Sequence, residues 1–117
     1  MIVHRTCHTQ VKLDLSPAYK FIATFGITDS GIRTSICDVI QDNTEGPVSF
    51  YCEECHTIVP IEGVVVLCEM CGEYFEVADS WRSTKAGGMY CERDAREYFP
   101  GEIKRLNLRK FTIVKSR

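Results

Sequence analysis

The chain has no apolar run near the roughly 20 residues of a membrane-spanning helix. Its first ten residues, MIVHRTCHTQ, hold three apolar positions and then turn basic and polar. Nothing there resembles the apolar centre of a secretory signal. The expected setting is therefore the cytoplasm or another reducing intracellular compartment, the interior of a virus particle included, with no membrane partner. Catalytic signatures are missing too. There is no serine nucleophile elbow, no phosphate-binding glycine loop, and no His-x-Glu ahead of a Pro-Cys-x2-Cys pair. Cys7 and His8 are adjacent, and adjacent side chains rarely face each other productively. No enzyme is expected. The one tryptophan, Trp81, lies between Ser80 and Arg82 and reads as a plug between surface and core.

What the chain does have is cysteine: seven among 117 residues. In a reducing compartment that points to metal binding and not to a disulfide scaffold. The odd count leaves at least one thiol outside any pairing. Length suits one ordinary domain or two minimal ones sharing an interface, and a hydrophobic share of 44% suits a globular protein.

Residues 51–72 read YCEECHTIVPIEGVVVLCEMCG. Cys52-x2-Cys55 and Cys68-x2-Cys71 are separated by twelve residues, and two such pairs can supply four thiolates to one tetrahedral Zn²⁺. Between them, residues 57–61 and 64–67 are β-favouring runs around the turn dipeptide Glu62-Gly63. This predicts a hairpin with both sulfur pairs at one end, and Gly72 at a position of positive φ. The pattern resembles the zinc-ribbon family over residues 50–77.

A second grouping is open. Cys68-x2-Cys71, nineteen residues, then Cys91-x2-Asp94 resembles the second zinc module of LIM and other treble-clef domains. That resemblance implies a knuckle supplying two ligands and a helix start supplying two more. Residues 91 and 94 are i, i+3 neighbours on a helix, so both can reach one ion. Cys52 and Cys55 would then take Cys7 with His4 or His8 as partners. The contiguous four-cysteine site needs fewer assumptions, so one zinc is expected and two is the alternative. In bland readings, Cys37 and Cys91 are small buried hydrophobes. His56 is a surface or supporting residue, and the segment around His4, Cys7 and His8 is an unstructured terminus.

The expected fold is mainly β: a small antiparallel meander over residues 1–47, then a ribbon or treble-clef-like module over 48–101 with one short α-helix at 92–99. A basic strand or tail over 102–117 completes the chain. Strands are read at 11–16, around 19–25, at 32–40 and at 109–115, with a loop at 42–47. Phe21, Phe25, Ile36 and Phe50 are core candidates, and Ala95, Tyr98 and Phe99 form an apolar helix stripe.

The net charge of −2 conceals an asymmetry. Residues 41–101 carry twelve carboxylates against four bases, whereas residues 102–117 carry six bases and only Glu102. An acidic body with a basic tail suits protein partners or self-assembly. The expectation is a non-enzymatic interaction module, or a structural subunit of a virus particle, ribonucleoprotein or polymerase-associated complex. The alternative is a nucleic-acid-binding or transcription-regulating protein that contacts phosphates through Lys104, Arg105, Arg109 and Lys110.

Overall fold

Short strands dictate the architecture. A computed structural model describes residues 1–14, 22–28, 31–36, 44–46, 49–106, 108 and 111–115. It is mainly β, as expected, with one α-helix among the described residues. The alternation of Ser49–Cys52 places Phe50 and Cys52 inside and Ser49 and Tyr51 toward the surface, the period of a half-buried strand. This strand, β7, pairs antiparallel with β8 (Thr57–Pro60) on one side and β2 (Lys12–Asp14) on the other. A short β3 (Ile22–Ala23) completes the sheet beyond β2.

A second sheet sets β9 (Val64–Leu67) between β1 (Ile2–His4) and β10 (Tyr74–Phe75), both antiparallel to it. A third sets β11 (Ser80–Ser83) between β12 (Met89–Cys91) and β13 (Ile103–Arg105). The helix α1 (Glu92–Tyr98) follows β12 directly, with Cys91 in extended conformation at the position before its first turn. In the fourth sheet the order is β4 (Gly26–Thr28), β5 (Gly31–Ile36), β14 (Phe111–Lys115), β6 (Thr44–Gly46). There β14 runs parallel to β5.

Three sequence readings change. The hairpin predicted between the two Cys-x2-Cys pairs does not form, because β8 pairs with β7 while β9 pairs with β1 and β10. A 3-10 turn over Ile61–Gly63, entered from extended Pro60, diverts the chain from one sheet into the other. Residues 44–46, read as loop, form β6 against β14. Tyr98, read as part of an apolar stripe, is 53% exposed, whereas Ala95 is fully buried and the Phe99 ring packs on Tyr90 at 4.8 Å. Pairing also crosses the boundaries drawn at residues 47 and 101: β1 with β9, β2 with β7, and β14 with β5.

The core has two parts. The larger gathers Ile2, Val11, Leu13, Ile32, Phe50, Val59, Val64, Val66 and Leu108. Phe50 is fully buried and meets the Phe25 ring at 5.6 Å. Phe21 and the Ile36 side chain lie outside the described residues. The smaller part, Cys68, Tyr90, Cys91 and Ala95, sits where α1 meets β12. Trp81 packs against it with the Arg96 and Arg105 guanidinium carbons 5.2 and 4.6 Å from its ring centroid, consistent with a plug at the core margin.

Candidate metal centres

Each cysteine pair occupies the tip of its own hairpin. Cys52 ends β7 opposite Thr57 of β8, so residues 53–56 form the turn that carries Cys55. Leu67 of β9 pairs with Tyr74 of β10, and the turn between them carries Cys68 and Cys71. A third turn follows β1: His4 ends the strand and Cys7 lies three residues on.

The three turns share a backbone solution. In each, two donors separated by two residues are followed by a residue with positive φ: His8 at 59°, His56 at 52° and Gly72 at 75°. The His8 amide donates to the His4 carbonyl at 2.8 Å, and the Gly72 amide to the Cys68 carbonyl at 3.0 Å. The Cys55 amide points at Cys52 Sγ, 3.4 Å away. The positive φ predicted for Gly72 is present. Its counterparts at His8 and His56 were missed, although the shared spacing was the signal for them.

Among the described residues, donor atoms converge in two groups. The first unites His4, Cys7, Cys52 and Cys55, the second Cys68, Cys71, Cys91 and Asp94, and within each group the ligand atoms lie within 4.8 Å of one another. The four cysteines read as one site are thus divided between two, because their hairpins belong to different sheets. The alternative grouping is the one the fold assembles. Of the two histidines offered for the first group, His4 is included, its Nδ1 3.4 Å from Cys7 Sγ. His8 turns away and stacks on Tyr74 with ring centroids 4.0 Å apart.

In the first group Cys7 Sγ and Cys52 Sγ are 3.5 Å apart. Hydrogen bonds from Thr9 lower the Cys7 thiol to about 6. The neighbouring Cys7 sulfur and desolvation push exposed Cys55 up to about 11. In the second group Cys68 and Cys91 point their thiols at Asp94 Oδ2, at 3.2 and 3.3 Å. Cys68, Cys91 and Asp94 are all buried. Burial raises the Cys91 thiol to about 11, whereas the Cys68 thiol, acting as donor, lowers the Asp94 carboxyl. Asp94 is held from behind by the Arg93 Nε, 3.5 Å from Oδ1.

These donor sets fit a divalent cation. Three sulfurs and an imidazole, or three sulfurs and a carboxylate, are four-donor sets of the kind that close a tetrahedral centre. Once deprotonated, the clustered sulfurs repel one another unless a cation lies among them. No protein-family model, curated protein or solved structure matches the chain.

The remaining candidates stand elsewhere. His56 is exposed and serves as a turn residue. Lys104 and Arg105 are exposed on β13, and Arg105 Nη1 donates to the Ala78 carbonyl at 2.7 Å. Arg109, Lys110 and Cys37 lie outside the described residues. No helix among the described residues is long and apolar enough to cross a membrane.

Proposed function

We propose that the protein is a non-enzymatic module that holds two structural Zn²⁺ ions and presents a defined surface to protein partners within a larger assembly. The observation that carries this reading is the pair of four-donor groups, each of which offers four ligand atoms within 4.8 Å of one another from the chain's own side chains. Thiolate-rich sets with one imidazole or one carboxylate suit Zn²⁺ among the common divalent ions. A catalytic zinc keeps a position open for substrate, and a closed set leaves none. The acidic segment over residues 41–101 supports a protein partner with basic character over a phosphate backbone.

The nucleic-acid reading has weaker support. Of its four residues, Arg105 is spent on Ala78 and Trp81.

Elemental analysis of protein purified without added metal tests the proposal. We expect two zinc ions per chain in the wild type and one in Cys91→Ser. Cys7→Ser should also retain one, now in the other centre. A wild type holding one zinc that persists in both variants would remove the two-centre reading. Tight binding of single-stranded nucleic acid at physiological salt, lost in Lys104→Ala/Lys110→Ala, would favour the nucleic-acid reading instead.

A further inference from the structure

The two centres are not separate appendages. The turn that supplies His4 and Cys7 to the first lies across the strand that leaves the second. Arg5 sits between those two ligands and reaches Glu76 with both Nη atoms, at 2.6 and 2.8 Å. Its Nε and Nη2 also donate to the Glu62 carbonyl, at 3.3 and 3.0 Å. His8, next after Cys7, stacks on Tyr74, three residues after Cys71. The backbone closes the same junction. Strand β1 ends in His4, which pairs with Val64, and the Leu67 amide beside Cys68 donates to the Met1 carbonyl at 2.9 Å. The Cys68 amide in turn donates to the Glu73 carbonyl, also at 2.9 Å, which fixes the knuckle to the start of β10.

From this geometry, and resting on the two-centre reading above, we propose that the first and second centres load metal cooperatively, with Arg5 and His8 as the positioning residues that couple them. A metal on His4, Cys7, Cys52 and Cys55 fixes the turn over residues 4–8. The fixed turn holds Arg5 on Glu76 and His8 on Tyr74, which sets β10 and with it the knuckle bearing Cys68 and Cys71. The second centre then binds into a framework already ordered, and the entropy of ordering is not met twice. Coupling of this kind is reciprocal, so the second metal must favour the first by the same factor.

Neither coupling residue is a ligand, so coupling can be removed with all eight donors intact. His8→Asn deletes the stacking ring yet tolerates the positive φ of the turn. Arg5→Gln removes the paired contact with Glu76. The test uses full-length protein stripped of metal and Zn²⁺ alone as probe, with native mass spectrometry counting chains that hold none, one or two ions.

Affinity of the second centre is read in the wild type, in Cys7→Ser, in Arg5→Gln/His8→Asn, and in all three changes together. We expect the second centre to weaken by about 5- to 150-fold in Cys7→Ser, the usual span of coupling factors. The Arg5→Gln/His8→Asn pair should reproduce most of that loss, and combining the two sets should add little. Cys91→Ser should weaken the first centre by the same factor. Equal affinity of the second centre in wild type and Arg5→Gln/His8→Asn, with two ions filling independently, would overturn the coupling and leave the two centres standing. A wild type that takes up no metal would overturn the two-centre reading itself, and the coupling with it.

Discussion

At the residue scale, the positions after each donor pair carry the most specific information. A left-handed backbone costs an ordinary L-residue about 1–2 kcal/mol, and glycine avoids it. Asparagine and histidine are enriched there among other residues, which accounts for His8 and His56 at sites equivalent to Gly72. A Cβ added at Gly72 would meet nothing within 4 Å, so Gly72→Ala isolates backbone strain from packing. Part of that strain is offset by the reduced freedom of the unfolded chain. We expect Gly72→Ala to lower the stability of the metal-loaded protein by about 1 kcal/mol in urea unfolding. His56→Gly should change it by less, since relief of strain and gain of unfolded-state entropy oppose each other. An undiminished Gly72→Ala midpoint would mean that the knuckle relaxes to another conformation.

At the element scale, the decisive feature is the junction between β8 and β9. Two β-favouring runs around Glu62-Gly63 read as a hairpin because local sequence is all that such a reading weighs. Each run instead pairs outward: β8 with residues 49–52 across the Cys52/Cys55 turn, and β9 with residues 74–75 across the Cys68/Cys71 turn and with distant residues 2–4. The two runs can pair with each other or each with its outer neighbour. The distant partner β1 that decides for β9 leaves no local signature, which is why the four cysteines read as one centre. The donors themselves were legible, since thiols at x2 spacing and the Cys91/Asp94 helix start declare themselves in any fold. Only their grouping depended on topology. The contacts of Arg5 with Glu76 and His8 with Tyr74 had no sequence signal, because neither pair shares a strand, a turn or a helix face.

Gly63 permits the junction. A Cβ there would stand 2.6 Å from Val59 Cγ1, and Val59 is only 2% exposed, so the core side chain has nowhere to yield. Gly63→Ala should therefore cost about 1–3 kcal/mol, the range for overpacking a filled interior. Chemical denaturation checks it. A loss below a few tenths of a kcal/mol would show that the 3-10 turn over Ile61–Gly63 shifts freely and does not fix the split between the sheets.

At the scale of the whole molecule, nine buried apolar side chains and Cys52, among the described residues, form the larger core that holds the small sheets together. Among the described residues, the apolar centre beside α1 is Cys68, Tyr90, Cys91 and Ala95, and two of those four are candidate metal donors. A structural zinc contributes about 10–16 kcal/mol of apparent folding free energy in small peptides, as large as the whole net stability of an ordinary domain. Metal removal should therefore act unevenly. Under a strong chelator the Cys68, Gly72 and His8 amides, whose acceptors lie within the knuckles, should lose hydrogen-exchange protection first. The ladder between β7 and β8 around Phe50 and Val59 is anchored in the larger core and should keep its protection longest. Hydrogen exchange with and without chelator separates the possibilities. Uniform loss across both regions would mean that the metals hold the entire chain as one cooperative unit, and unchanged protection at the knuckles would mean that packing alone maintains them.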